Sequence, residues 1–448
     1  MREHINIALK ILNKIFDEGT YSNMALNDAP VSDMATKLIY GVLDENVKIE
    51  YILSSLIDKK PKKTVYVLLK IGTYALLNLT NVPSYAIVSE CVEVAKMNGK
   101  GGASGFVNAV LKKVSSRSFQ MPKETDGNYL SATYSKPQWF VDKLISQYGY
   151  EQTVAMFESD YDKCEHIRVN SLLTSLAEVE QILKNNGTPY RESEVGGLIV
   201  RIDEVVKRLF SKGSITYQSP SSILAVRALS PKDGDRTLDL CSAPGGKAVY
   251  IAELCPNGEI VACDLHGHRV SLIEKYKKRM HVSNVKCCVK DATKFDKDFE
   301  NAFDRVLVDA PCSCFGTYRK HPDVFLSKDG QTVKELSALQ RQVLDNASRY
   351  LKEGGVLVYS TCTLFKEENE DVVNGFLNSH KNFSLECIDG MECIDNGRYI
   401  ANEGTVQILP HNEYDGFFIA KLRKNYDNKK QNNINNRNNR KNKITEKN

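Results

Sequence analysis

The chain has no run of about 18 consecutive apolar residues, which excludes a conventional membrane-spanning helix. Its first residues, MREHINIALKILNK, are amphipathic and lack the charged, apolar and small-residue zones of a secretory leader. A cytoplasmic protein without a membrane partner is therefore expected. There are 12 cysteines but no CxxC pair, and neither Cys312 with Cys314 nor the adjacent Cys287 and Cys288 has a histidine at zinc-ligand spacing. No metal is expected on that pattern. Scattered cysteines in a long chain without secretory features imply reduced thiols, and Cys241, Cys263, Cys287 and Cys288 read as small strand residues. Tryptophan is nearly missing, with Trp139 the single one. Net charge is also slight. The formal +4 comes from the end of the chain, where eight Lys or Arg from Lys424 onward face only Asp427 and Glu446. That segment, 424–448, is Asn-rich and almost free of apolar residues, so it should be disordered. A basic tail can add salt-sensitive attraction to phosphates, but it names no substrate.

A content of 42% hydrophobic and 26% charged residues fits a globular protein, and 448 residues leave room for several domains. Positions 1–120 read as all-helical. Ile5, Ala8, Leu9, Leu12, Ile15 and Phe16 recur at helical spacing, as do Ala35, Leu38, Ile39, Val42 and Leu43. Pro83 separates two helices, with Ser84 as a candidate N-cap, and GKGGASG reads as a flexible break. A linker, SSRSFQMPKETDGN, leads to 128–215, where linker helices carrying Trp139 precede a small αβ module. Within it, Arg168 and Asn170 flank strand-forming Ile167 and Val169. They are candidates for RNA contacts, or alternatively for surface polar residues on an edge strand.

The region 216–423 is organised around LDLCSAPGGK, an apolar run that turns at Pro244, Gly245 and Gly246 and opens a helix at Lys247. Backbone NH groups approach a nucleotide-type ligand only where side chains are absent, so this is a binding loop. Strand-like EIVACD ends in Asp264, at about the spacing where an acid meets ribose hydroxyls. VKCCVKD ends in Asp291, DRVLVDAPCSC carries Asp309, Cys312 and Cys314, and GGVLVYSTCT carries Cys362. Helix-compatible segments alternate with these strands, which implies a parallel sheet with its ligand across the carboxyl ends.

Thiols at strand ends near such a loop suit two enzymes. One is a dehydrogenase that forms a thiohemiacetal. The other is a pyrimidine methyltransferase, in which sulfur adds to carbon 6 and thereby makes carbon 5 nucleophilic enough to take a methyl group. The glycine pattern discriminates, because GxGxxG is absent and provision for a pyrophosphate is small. S-adenosylmethionine carries no phosphate and is the better candidate.

CSAPGGK, VACD, DAPCS followed by RKHPD, and YSTCT followed by EEN resemble the motifs of the Sun/Fmu-type RNA 5-methylcytosine methyltransferases. ATKLIYGVL, VPSYAIVSECV and FVNAVL resemble the NusB-like domain that marks the bacterial 16S ribosomal RNA methyltransferase B branch. The likeness spans roughly residues 1–422. It implies a multidomain chain: an all-α NusB-like bundle, a small α/β RNA-binding module and a Rossmann-like methyltransferase domain using S-adenosylmethionine on 16S ribosomal RNA, working as a monomer. It also implies that Cys241, Ser242, Ala243, Pro244, Gly245, Gly246 and Lys247 hold the methionine part and sugar of the cofactor. Asp264 would bind the ribose, Asp291 the adenine amino group, and Asp309 the region near the sulfonium and the target base. Cys362 corresponds to the nucleophile and Cys312 to the thiol that helps release product. IRVN, with Arg168 and Asn170, is similar to a segment of the RNA-binding region, and His321 in KHPD is either a loop cap or an RNA contact. The target cytosine must be single-stranded or flipped out. This chain departs from the family at Cys314, usually glycine, and at QSPSS, where relatives tend to have QDESS. Two rivals stand beside this reading: an RNA-binding regulator without catalysis, and the nicotinamide dehydrogenase.

Overall fold

Apolar residues at helical spacing along 1–120 need partners to cover them, and the chain supplies these as a stack of helices. The computed structural model describes residues 1–18, 22–27, 31–159, 164–391 and 395–426, and it divides into two units. The tail beyond residue 426 lies outside the described residues. Among the described residues no helix is long and apolar enough to cross a membrane.

The first unit comprises Met1–Glu158 with Tyr318–Asp329. Its helices are α1 (Arg2–Glu18), α2 (Ser22–Asn27), α3 (Asp33–Asp44), α4 (Asn46–Leu56), α5 (Lys63–Asn78), α6 (Ser84–Met97), α7 (Ser104–Ser115), α8 (Tyr129–Tyr134), α9 (Gln138–Tyr148) and α10 (Tyr150–Glu158). The stripes of Ile5, Leu9 and Leu12 on α1 and of Leu38, Ile39 and Val42 on α3 meet α5 in one apolar core. A Cβ at Gly41 would lie 1.9 Å from the Tyr74 ring, so glycine is what lets α3 and α5 close. Ser84 does not cap α6. It is the first helical residue, and the Pro83 carbonyl accepts from Ala86 N and Ile87 N instead. The expected break GKGGASG folds as a short 3-10 turn, Gly101–Ala103, running into α7. Helices α8–α10, read as linkers, group with this unit. So does the distant segment Tyr318–Asp329, whose Tyr318 hydroxyl donates to Met156 O at 3.1 Å while its ring meets Phe140 edge-on.

The second unit holds two sheets. The smaller has the order β2 (Tyr190–Glu192), β3 (Leu198–Val200), β1 (Glu165–Val169), β4 (Ile215–Tyr217), and is packed by α11 (Leu176–Asn185) and α12 (Glu204–Ser211) around Ile167, Val179, Leu183 and Val206. Ser175 and Glu178 close a capping box at the start of α11. Because β1 lies inside this sheet, the edge-strand reading of Arg168 and Asn170 is corrected. Both are buried. Arg168 is paired with Glu253, donates to Gln218 Oε1 at 2.6 Å and lies over the Tyr250 ring. Asn170 donates to Gly213 O at 3.0 Å and Met280 O at 2.9 Å. These side chains join the small sheet to the helices of the larger one.

In the larger sheet, α13 (Pro220–Leu229) leads to β5 (Arg236–Asp239), α14 (Gly246–Leu254), β6 (Glu259–Asp264), α15 (Gly267–Arg279), β7 (Val285–Val289) and β8 (Phe303–Asp309). After the short α16 (Val324–Ser327), which groups with the first unit, come α17 (Gly330–Tyr350), β9 (Leu351–Thr361) and α18 (Glu370–Ser379). Strands β9-β8-β5-β6-β7 run parallel in that order. The wholly parallel sheet expected from the sequence is extended by antiparallel strands β10 (Phe383–Leu385), β11 (Tyr399–Asn402), β12 (Thr405–Ile408) and β13 (Phe417–Lys424). The β11–β12 link is a two-residue turn with Gly404 at φ +74, too short for the helical crossover that parallel strands require. The chain leaves β5 in one direction through β6 to β7 and returns on its other side at β8. That reversal opens a crevice at the carboxyl ends of β5 and β8.

Candidate active site

The glycine loop is fastened to the end of β6. Ser242 N donates to Cys263 O at 2.7 Å, Ala243 N to Asp264 Oδ2 at 3.2 Å, and Gly245 N to Ser242 O at 2.8 Å. Pro244, preceded by a cis peptide bond, is exposed at the bend. Gly245 has φ +107, and a Cβ there would stand 3.0 Å from Ile273 Cγ2, so its lack of a side chain serves both the turn and the seating of α14 on α15. Gly246 begins α14, and Lys247 follows it. Burial pushes the half-buried Cys241 thiol far up.

Four carboxylates line this rim, at or just beyond the ends of adjacent parallel strands: Asp309, Asp239, Asp264 and Asp291. Asp264 is buried and takes Arg269 as an ion pair at 3.4 Å. Asp291 accepts from Thr293 N at 3.0 Å and Thr293 Oγ1 at 2.6 Å, and these hydrogen bonds hold its carboxyl below the usual range. Asp309 accepts from Lys247 Nζ at 2.7 Å and from Ser360 Oγ at 2.7 Å. Burial works against the Lys247 charge, but the Asp309 charge and hydrogen bond outweigh it and hold the ammonium above its ordinary value. Lys247 is thus a partner of Asp309 and not a solvated helix start.

Sequence reasoning passed over Asp239. It is fully buried, and neither carboxylate oxygen has a hydrogen-bond partner. Burial above all pushes its carboxyl up to about 7, and the charges of Asp309 and Asp264 push the same way. The nearby Ser242 hydroxyl and the Lys247 charge offset only part of this. The signal was present, since Asp239 ends an apolar strand just as Asp264 and Asp309 do.

The thiols stand on the same rim. Cys312 Sγ and Cys362 Sγ are 3.3 Å apart, Cys362 N donates to Cys312 Sγ at 3.3 Å, and Cys362 is half-buried. For Cys312, hydrogen bonds to Cys314 and Cys362, together with burial, push the thiol well up. For Cys362, the bond from Cys312 favours the thiolate, but the bond to Cys314, burial and nearby negative charge outweigh it. Both sulfurs are therefore held towards the thiol form.

The EEN motif accounts for the positions of both cysteine loops. Glu368, buried, accepts from Ser313 N at 2.8 Å, Ser313 Oγ at 2.5 Å and Gln340 Nε2 at 3.0 Å. Gln340 also donates to Pro311 O at 2.9 Å. Asn369 accepts from Thr361 Oγ1 at 2.6 Å and donates to Thr363 O at 3.2 Å, gripping the residues on either side of Cys362. A Ser313–Thr363 hydroxyl contact of 2.8 Å joins the loops. The crevice thus gathers the glycine loop, Asp264, Asp291, Asp309, Cys312 and Cys362. It does not gather Arg168 and Asn170, and the exposed His321 belongs to the segment grouped with the helical unit.

Residues 226–423 match the family model described as 16S rRNA methyltransferase RsmB/F, and residues 3–116 match that of the NusB family. The chain is 34% identical over 443 residues to a probable ribosomal RNA small subunit methyltransferase B of Bacillus subtilis (strain 168), covering 94% of this chain and 98% of the relative. It is 29% identical over 439 residues to a ribosomal RNA small subunit methyltransferase B of Photorhabdus laumondii, covering 94% and 98%. Among solved structures, PH0851 superposes with a TM-score of 0.80 at 27% identity, covering 95% of this chain and 99% of that one. NSun6 from Pyrococcus horikoshii, crystallised with SFG, gives 0.58 at 26% identity, covering 65% and 99%.

Proposed function

Because the chain belongs to the ribosomal RNA small subunit methyltransferase B family, we propose that it methylates carbon 5 of a cytosine in 16S ribosomal RNA through a covalent bond from Cys362 to carbon 6. It is a methyltransferase, and S-adenosylmethionine supplies the methyl group from its sulfonium. The NSun6 structure contains SFG, an analogue of that cofactor. The residues of this chain fit it. Asp239 offers a buried carboxylate without a partner, suited to a cationic ligand, and the rim of Asp239, Asp264, Asp291 and Asp309 favours cations and hydroxyls over a pyrophosphate. Asp264 and Asp291 would hold ribose and adenine, and the loop from Cys241 to Lys247 the methionine part.

Cys362 gives its proton to ring nitrogen 3 of the cytosine as its sulfur bonds to carbon 6; the displaced ring electrons make carbon 5 the nucleophile, which would take the methyl group as the sulfonium departs as a neutral thioether. Lys247 and Ser360 hold Asp309 in one orientation beside this site. After methylation a base removes the carbon 5 proton, the electron pair re-forms the ring double bond, and the carbon 6–sulfur bond breaks. Cys312 assists that release. Its sulfur touches Cys362 Sγ, and the Cys362 amide helps it carry negative charge. His321, exposed, is available to the RNA.

The observation that carries this reading is the 3.3 Å approach of the Cys312 and Cys362 sulfurs on the rim that also bears the glycine loop and Asp309. Bisulfite mapping of 16S ribosomal RNA with and without the protein tests it, and one protected cytosine should appear only with the protein. Thermal stabilisation by S-adenosylhomocysteine and not by NAD separates it from a dehydrogenase. Stabilisation by NAD alone, with no protected cytosine, overturns it.

A further inference from the structure

The rim carries a third thiol that the proposed methylation does not use. Cys314 adopts φ +61, a left-handed conformation uncommon for a side-chain-bearing residue. The sulfurs of Cys312, Cys314 and Cys362 all lie within 4.8 Å of one another. The sequence spacing argued against a metal because it showed only the Cys312–Cys314 pair, whereas the fold brings the third sulfur from the end of β9. We propose that these three cysteines form a binding site for a thiophilic closed-shell metal ion of the zinc type, and that its capture reversibly withdraws both sulfurs of the methylation cycle.

The geometry is close to what such an ion requires. Zinc–sulfur bonds of about 2.3 Å in a tetrahedron set sulfurs about 3.8 Å apart. The Cys312–Cys362 separation is 3.3 Å and no pair exceeds 4.8 Å, so each sulfur need shift by no more than about 1 Å. Among the described residues this is the one cluster of Cys, His, Asp or Glu with metal-binding geometry. None of its sulfurs is part of a disulfide. Soft sulfur donors select zinc, cadmium and copper(I) over magnesium or calcium. Binding replaces three thiol protons: one divalent ion and three S–H groups give a trithiolate complex of net charge −1 and release three protons. The Lys247 ammonium, paired with Asp309 at 2.7 Å, supplies positive charge on the same rim. The fourth position of the tetrahedron is left to water, as in other sites with three protein ligands. A glycine at 314 would leave two sulfurs and no such site.

Metal binding stands on the sulfur geometry alone, while the inhibitory consequence rests on the function proposed for Cys362. The test titrates cadmium and zinc into the reduced full-length protein, reading the thiolate-to-cadmium charge-transfer absorption and the zinc affinity against a chromophoric chelator. Cys314→Gly and Cys314→Ser are compared with wild type, the serine keeping the volume while removing the soft ligand. Wild type should take one ion on three sulfurs, and both variants should lose at least about tenfold in affinity. Zinc should inhibit wild type and spare the variants. Variants that titrate like wild type, or a wild type with no three-sulfur absorption, overturn the site. If three-sulfur binding disappears with Cys314 yet the zinc-loaded wild type still methylates, the site stands and the catalytic reading of Cys362 fails.

Discussion

Asp239→Asn is the perturbation for which the geometry yields a magnitude. In the ligand-free fold burial raises this carboxyl from 3.8 to about 7. The native state therefore keeps a proton that the unfolded chain has already released in that window, so stability falls as pH rises from about 4 to 7. At about 1.4 kcal/mol per unit, a rise of roughly three units costs about 4 kcal/mol at pH 8 and nothing at pH 4. Asparagine removes the charge, so the ligand-free variant should melt above wild type at pH 8, by roughly 8–16 °C at about 2–4 °C per kcal/mol, and the two should converge near pH 4. Cofactor binding reverses the comparison. If the ammonium of the ligand pairs with the carboxylate, binding draws off the proton, and wild-type affinity for S-adenosylhomocysteine should tighten about tenfold between pH 6 and 8. The variant should bind weakly with no such slope. Thermal melts from pH 4 to 8, with and without S-adenosylhomocysteine, read both effects. A variant less stable than wild type at pH 8 that binds the ligand with an unchanged pH profile would refute the reasoning.

Arg168→Ala leaves Glu253 buried and unpaired, so it should destabilise the second unit by about 3–5 kcal/mol in denaturant melts, whereas Arg168→Met with Glu253→Met should recover most of the loss. An unchanged melt together with a salt slope of RNA binding reduced by about one would restore Arg168 as a phosphate contact. Lys247→Met removes the charge-assisted bond to Asp309, worth about 1.5–3 kcal/mol, so methyl transfer should fall by about 10- to 150-fold. Equal rates for the variant and wild type in a single-turnover assay would show that the ammonium has no such role. Glu368→Gln weakens the clamp on Ser313 and should lower methyl transfer while leaving S-adenosylhomocysteine affinity unchanged, because Glu368 fastens the cysteine loops and not the glycine loop.

Strand ends were the legible part. EIVACD coincides with β6, and Asp309 ends β8, because β-branched runs in a buried parallel strand are short, continuous and bounded by polar residues. The helical stripes of α1 and α3 were legible for the same kind of reason. What could not be read depended on partners distant in the chain. Arg168 looked like a surface residue because Glu253 and Gln218, which bury it, belong to later elements. Tyr318–Asp329 follows the cysteine motif in sequence but packs with Phe140 and Met156, and local pattern carries no trace of that. The antiparallel strands after α18 have no helices between them and so lack the alternation by which the parallel strands were recognised. Asp239 ends β5 as Asp264 ends β6, a position the sequence shows, but the burial that sets it apart is not written in the spacing.

The most direct test of the account is to incubate Cys312→Ala with 16S ribosomal RNA and S-adenosylmethionine, digest the denatured complex and locate any nucleotide-bearing cysteine by mass. The account predicts a stable adduct on Cys362, and none when Cys362→Ala is used in its place. An adduct carried by Cys312 in the Cys362→Ala protein would contradict it.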